Sequence, residues 1–219
     1  MNKKPKTPWP TKKVMQQVYD LNLWGGSGSD EFYSGEGSHE SSLVEPYIKS
    51  VIEFLNGFKI PITVCDLGCG DFNIGKQIVD KVEFYHAIDI VPELIARNEQ
   101  LFKFNNLKFH TLDISKDQLP LGDCVIIRQV FQHLSNKEIL DIIKKLSNYN
   151  YVIITEHIPD FDFIPNIDII SGRGIRLKKQ SGVDITKPPF NFKFITQKDL
   201  LSLPSDNFGG IIKTTLFEL

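Results

Sequence analysis

Cysteine is scarce in this chain of 219 residues, which has only Cys65, Cys69 and Cys124. They form no Cys-x-x-Cys pair, so neither a zinc knuckle nor a dithiol redox motif is available. An odd number of thiols with no secretory signal suits a reducing cytoplasm. Strong net charge is also lacking. The 25 basic and 27 acidic residues leave −2, which carries no general polyanion-binding signature and argues against nucleic acid as a partner. No apolar run approaches the roughly 18 residues that a membrane span needs, so no membrane partner is expected either. The basic start, residues 1–13, lacks the apolar core of a signal peptide and reads as a frayed, solvated tail. His39, His86 and His110 show no metal-ligand clustering, and no metal site is expected.

What is present suits one soluble domain over 1–219, with 41% apolar and 24% charged residues. Its organising stretch is Val64-Cys65-Asp66-Leu67-Gly68-Cys69-Gly70-Asp71-Phe72-Asn73. A buried strand over 62–67 runs into a tight glycine turn, and a helix is predicted over 73–82. Glycines let the backbone bend sharply and approach a ligand closely. A second strand, 84–89, ends in Asp89, which follows Asp66 by 23 residues. A third, 107–112, ends at Asp113. Strand ends carrying acids beside a glycine turn are how an α/β sheet holds a nucleotide-like group. The pyrophosphate fingerprint Gly-x-Gly-x-x-Gly is incomplete, because Asp71-Phe72 stands where the usual third glycine falls and position 73 is Asn. This weakens a dinucleotide reading.

Asp66-Leu67-Gly68-Cys69-Gly70, then His86-Ala87-Ile88-Asp89-Ile90-Val91, then Leu112-Asp113-Ile114 resembles the class I S-adenosylmethionine-dependent methyltransferases, over roughly 60–157. The resemblance implies an α/β, Rossmann-like three-layer sandwich with a mostly parallel sheet of six or seven strands. It implies S-adenosylmethionine as cofactor, with Gly68 and Gly70 under the methionine part, Asp89 on the ribose hydroxyls and Asp113 on the adenine amino group. Ile90 and Ile114 accompany those acids. Asp66 is expected near the cofactor amine, or as an acceptor for N–H groups of the turn.

Strand and helix alternate along the chain, so right-handed crossovers and a parallel sheet are expected. Helices are predicted over 11–21, up to 55 after a cap at Ser38 or Ser41, and over 92–104. Ser135 and Glu138 read as a capping box for a helix over 136–146. Further strands are predicted over 124–128 and 151–155. The tail is read as a helix over 197–203 and a strand over 211–219.

Two flanking segments stand out. Residues 23–38 hold five glycines and four serines around Trp24, Phe32 and Tyr33. A linker would not normally carry such aromatics. The segment is similar to the N-terminal strap of some bacterial small-molecule methyltransferases, and 1–40 is read as a strap or lid that brings Trp24 to the cofactor and Tyr33 to the acceptor. The alternative is a surface loop with its aromatics in the core. Residues 158–195 hold several prolines and phenylalanines around Arg173, Arg176, Lys178 and Lys179. This insertion is read as the acceptor-specificity element, with Arg173 and Arg176 gripping an anionic, phosphorylated or sugar-linked acceptor. A solvated charge run is the alternative.

Arg128 and Gln129 follow the fourth strand and are expected at the cofactor. His133 and His157 are candidate catalytic groups, as base or acceptor ligand. The reading is methyl transfer to O or N of a small-molecule acceptor. The alternatives are a cofactor-binding protein without catalysis and a nicotinamide-dependent oxidoreductase. A homodimer is left open.

Overall fold

The structure is a computed structural model that describes residues 8–26, 32–205 and 209–219. The strap residues 27–31 lie outside the described residues. The elements are α1 (Thr11–Asp20), α2 (Ser41–Leu55), β1 (Thr63–Leu67), β2 (Phe84–Asp89), α3 (Pro92–Leu101), β3 (Leu107–Thr111), β4 (Cys124–Arg128), α4 (Asn136–Leu146), β5 (Tyr151–Ile158), β6 (Thr196–Pro204) and β7 (Ile211–Glu218).

The seven strands form one sheet in the order β3-β2-β1-β4-β5-β7-β6. The first five are parallel to one another, and β7 runs antiparallel to both β5 and β6. Strand order reverses at β1, which has β2 on one side and β4 on the other. A crevice therefore opens at the carboxyl ends of β1 and β4.

Alternation along the central strands explains the layering. Val64, Cys124, Ile126 and Ile153 face α2, where Val44, Tyr47, Ile48, Val51 and Leu55 cover them. Val125, Ile127, Val152 and Ile154 face the other way, onto Ile139, Ile142, Ile143 and Leu146 of α4. Strands buried on both faces read as unbroken apolar runs, as Cys124-Val125-Ile126-Ile127 does. The capping box of α4 forms as predicted, with Ser135 Oγ accepting from Glu138 N–H and the Glu138 side chain accepting from Ser135 N–H. Val183, Ile185, Phe190 and Phe192 of the insertion join the α4-side core, while Phe161 and Phe194 stay exposed.

Three expectations are corrected. Residues 73–82 form no α-helix but two short 3₁₀ turns, Gly75–Gln77 and Val79–Lys81. The cause is Phe72. It leaves the glycine turn at φ 64° with its ring buried between Tyr85, Phe102 and Phe109, which draws the following backbone inward. No helix dipole stands behind the turn. The second correction is that 197–203 belongs to β6, not a helix. Its whole length pairs with β7, from Thr196 opposite Glu218 to Pro204 opposite Ile211, with a bulge between Asp199 and Leu201. A helix there would satisfy its own backbone but leave the outer ladder of β7 unpaired. Third, β5 continues to Ile158, so Glu156 and His157 lie inside the strand and pair with β7.

Candidate active site

The turn after β1 places two glycines where side chains would collide. Gly68, at φ 89°, would bring a Cβ to 2.4 Å from Val130 Cγ2. Gly70, at φ 55°, would bring one to 2.5 Å from Ser34 Oγ. Both conformations favour glycine. Asn98 Nδ2 donates to Gly70 O at 2.7 Å, fixing the turn from α3. Asp89 Oδ2 accepts from Gly70 N–H at 3.2 Å and Oδ1 from Val91 N–H at 3.1 Å. The acid at the end of β2 thus holds the glycine turn while lining the cleft.

Burial governs the acids. Desolvation pushes the Asp89 carboxyl up to about 6, against the pull of the N–H groups it accepts from. Desolvation pushes Asp66 up to about 7, although Tyr85 Oη donates to it at 2.9 Å. Asp113 differs. Burial works to raise it, but the Lys116 ammonium and the Ser115 hydroxyl outweigh burial and hold its carboxyl below the ordinary value. Ser115 Oγ donates to it at 2.6 Å and Lys116 pairs with it.

Around these strand ends lies a cleft of about 690 Å³, within the range of small-molecule sites. Asp66, Gly68, Gly70, Asp89, Ile90, Asp113 and Ile114 all border it, together with Arg128, Gln129, Trp24, His133, His157 and Arg173. The geometry brings together the residues expected at the cofactor. Arg128 is buried, with its guanidinium 4.7 Å from the centre of the Tyr47 ring. It donates to Gly37 O and, at 3.3 Å, to Gln129 Oε1. Its Nε is buried with no partner, an orphan donor in the wall of a cavity.

His133 sits on the 3₁₀ turn after β4, Phe131–His133. Its Nδ1–H donates to Gly172 O at 3.1 Å, because a carbonyl only accepts. Its Nε2 lies 3.3 Å from Gln132 Nε2, which donates to it. Burial drives the imidazole down to about 4, against the carbonyl of Gly172. The ring is therefore neutral at physiological pH and already occupied at both nitrogens. His157 Nε2 donates to Gly209 O at 2.6 Å, and burial lowers its pKa.

Two expected acceptor contacts are corrected. Arg176 is not in the cleft. It is 1% exposed, and its nitrogens are spent on Ile167 O, Phe131 O, Leu134 O and Asn136 Oδ1. Tyr33 stacks on His39, with ring centres 4.4 Å apart and planes at 25°, and does not border the cleft. Lys178, two residues further along the 3₁₀ turn Arg176–Lys179, borders the cleft where Arg176 does not.

Ser34, His39, Asp71 and Gln132 were not expected. Ser34 and His39 both bind Asp71, and Gln132 borders the cleft. Only Asp71, displaced into the turn in place of a glycine, carried any local signal. Trp24 packs edge-on against Tyr19 at 5.3 Å and lies 5.3 Å from the His133 ring, so the described part of the strap forms one wall of the cleft. Among the described residues no group of three or more His, Cys, Asp or Glu side chains could hold a metal ion, and no helix is long and apolar enough to cross a membrane.

A sheet of this order with acids at successive strand ends defines the class I methyltransferase fold. Residues 61–170 match the family described as "Methyltransferase domain", and the chain belongs to it. Among solved structures, the chain is similar to the N-methyltransferase NodS from Bradyrhizobium japonicum in complex with S-adenosyl-L-homocysteine. The TM-score is 0.68 at 10% identity, covering 94% of this chain and 98% of that one. It is also similar to magnesium protoporphyrin IX methyltransferase from Synechocystis with bound S-adenosylmethionine, with a TM-score of 0.61 at 17% identity, covering 98% and 100%. At these identities the likeness is one of fold. A curated relative, (iso)eugenol O-methyltransferase of Clarkia breweri, is 25% identical over 150 residues, which is 65% of this chain and 39% of that protein. The chain thus spans well under half the length of that curated relative.

Proposed function

We propose that the protein is an S-adenosylmethionine-dependent methyltransferase acting on O or N of a small molecule. The observation that carries this is the cleft itself, in which Asp66, Gly68, Gly70, Asp89 and Asp113 converge from the ends of three adjacent strands. S-adenosylmethionine, when bound, supplies a methyl group on a positively charged sulfur. The chain's own residues fit that group. The glycine turn leaves room for close approach, Asp89 offers carboxylate oxygens to ribose hydroxyls, and Arg128 holds a buried donor in reserve for a carboxylate. Relatives named as O- and N-methyltransferases support both acceptor atoms.

The protein's work in such a transfer is to position the acceptor and exclude water. His133, neutral and bonded at both nitrogens, is a weak base. It suits an acceptor whose nucleophile needs little activation, such as an amine or an ionised oxygen. The acceptor is read as anionic. Arg173 and Lys178 border the cleft, are exposed, and form no ion pair among the described residues. A nicotinamide reading is disfavoured by the incomplete Gly-x-Gly-x-x-Gly pattern, which has Asn73 at its third glycine position, and by the short 3₁₀ turns that stand where an α-helix would follow the turn.

Calorimetry with S-adenosylmethionine, S-adenosylhomocysteine and NAD tests the cofactor, and only the first two are expected to bind. A screen of phosphorylated, carboxylated and sugar-linked acceptors, with Arg173→Ala and Lys178→Ala beside wild type, tests the acceptor. If neither change alters acceptor use, the anion reading fails.

A further inference from the structure

The turn that brings Gln132 and His133 to the cleft is gripped from behind by two buried ionisable side chains, neither of which borders the cleft. Glu156, on β5, accepts the Phe131 N–H through Oε1 at 3.0 Å. Arg176, from the insertion, donates to Phe131 O at 2.7 Å and Leu134 O at 2.7 Å. The two faces of one residue's backbone are thus held by opposite partners, and the exit of the turn is held as well. The insertion adds a further grip, because Gly172 N–H donates to His133 O at 2.9 Å while Gly172 O accepts from the ring. Arg176 Nε also donates to Ile167 O and its Nη2 to Asn136 Oδ1, which joins the insertion to the start of α4. Glu156 and Arg176 attract each other across this turn.

Two ionisable groups at 3% and 1% exposure are a poor choice for stability alone. Well-packed apolar side chains of similar volume are often as good or better. What apolar groups cannot do is address an N–H and two C=O groups in fixed directions. We infer that Glu156 and Arg176 are a positioning pair for the acceptor wall: they set where Gln132 and His133 stand and tie that wall to the 158–195 insertion, while touching neither cofactor nor acceptor. This rests on reading the cleft as a methyl-transfer site. It also changes the role of Arg176, whose charge serves the protein's own carbonyls and not an anionic ligand.

The test uses the full-length protein and two readouts that do not require the acceptor. The first is the titration of the His133 imidazole followed by NMR, which reports whether the ring keeps its buried, doubly bonded place. The second is S-adenosylhomocysteine affinity by calorimetry. In wild type, burial is expected to hold the ring well below its ordinary value, to about 4. Glu156→Gln keeps an oxygen for the Phe131 N–H and should leave that midpoint within about half a unit. Glu156→Ala and Arg176→Lys should raise it by about one unit or more, toward the ordinary ~6.5. S-adenosylhomocysteine affinity should stay within about twofold throughout, since these substitutions remove no group that borders the cleft.

With an acceptor from the screen, Glu156→Ala and Arg176→Lys should raise its KM or lower kcat, and Glu156→Gln should restore wild-type behaviour. A midpoint that stays near 4 in both Glu156→Ala and Arg176→Lys overturns the inference. So does a loss of S-adenosylhomocysteine binding in step with the midpoint, which would mark a general structural role. Should Glu156→Ala fail to fold, the contrast between Glu156→Gln and Arg176→Lys decides, because both keep volume and polarity. A wild type that binds no S-adenosylhomocysteine would instead sink the methyl-transfer reading, and the His133 comparison would still judge the positioning pair.

Discussion

Ser34 and Asp71 hold each other by two reciprocal hydrogen bonds: Ser34 N–H donates to Asp71 Oδ2 at 2.9 Å, and Asp71 N–H donates to Ser34 Oγ at 2.8 Å. The same Oδ2 lies 2.6 Å from His39 Nε2, and Tyr19 Oη lies 3.1 Å from the same Oγ. Ser38 O accepts from Asn73 Nδ2 at 2.7 Å, and Gly37 O from Arg128. The described part of the strap is therefore latched to the glycine turn, and Asp71, just before the site of the missing third glycine, is the latch. The turn has exchanged a phosphate cradle for an anchor that holds a wall over the cleft.

Removing one half of that latch should weaken cofactor binding more than it weakens the fold. Ser34→Ala leaves the buried Asp71 N–H without its acceptor, at a cost of about 1–2 kcal/mol. If that cost falls on the strap-closed, ligand-bound state, S-adenosylhomocysteine affinity drops roughly 5- to 30-fold. Calorimetry against wild type is the check, with the melting temperature as control. Unchanged affinity would show that the latch does not bear on the cofactor.

Gly70 supplies a second, independent probe of the same contact. Gly70→Ala places a methyl group 2.5 Å from Ser34 Oγ on a backbone with φ 55°. Strain at φ > 0 costs on the order of 1–3 kcal/mol, and the clash adds to it. The single variant should melt several degrees lower, by the usual conversion for a domain of this size. The double variant Gly70→Ala/Ser34→Ala should lose less than the sum of the two singles, because removing Oγ relieves the clash. Strict additivity would mean that the two residues do not meet.

The sheet and its strand-end acids were legible because their cause is local. Cys124 to Ile127 are consecutive apolar residues, Asp89 and Asp113 close their strands, and Ser135 with Glu138 spells a capping box. Misreadings arose where a distant partner decided the outcome. The segment 73–82 has helix-compatible residues, but the burial of Phe72 among Tyr85, Phe102 and Phe109 broke it into 3₁₀ turns. Leu200, Leu201 and Leu203 suited a helix until β7 offered a ladder to pair with. At the site, the glycine turn announced itself by spacing. Ser34 and Asp71, 37 residues apart, meet only through tertiary folding, and nothing in the composition separates Arg176, which is buried, from Arg173, which is exposed.

Asp89 is the residue on which the cofactor reading turns. Asp89→Ala removes both the carboxylate offered to a diol and the acceptor for Gly70 N–H. Hydrogen bonds to a charged group are worth about 1.5–3 kcal/mol, so S-adenosylhomocysteine affinity should fall by roughly 10- to 100-fold. Asp89→Asn keeps one oxygen and should fall less. Burial also places the free-enzyme carboxyl at about 6. Affinity in wild type should therefore weaken as pH drops through 6, and Asp89→Asn should lack that limb. A flat wild-type profile between pH 5 and pH 7 would count against Asp89 as a ligand.

Glu156 makes the stability of the ligand-free protein depend on pH. Burial raises its carboxyl from an ordinary 4.5 to about 8, against the attraction of Arg176 and the Phe131 N–H. Its folded pKa lies above its unfolded one, so between these values the folded state binds more protons than the unfolded state. Stability from this group is fully present below about pH 4.5 and is lost as pH rises toward 8. One such proton contributes a slope of at most about 1.4 kcal/mol per pH unit. Glu156→Gln mimics the neutral acid at every pH and should remove that slope. Urea midpoints from pH 5 to pH 8 should thus diverge, with the variant gaining on wild type as pH increases. Asp66 and Asp89 titrate in the same window with the same sign, so wild type alone cannot isolate the effect. The difference between the two proteins does. Parallel profiles would mean that Glu156 is ionised in the folded protein at neutral pH and that Arg176 attracts it more strongly than burial disfavours its charge.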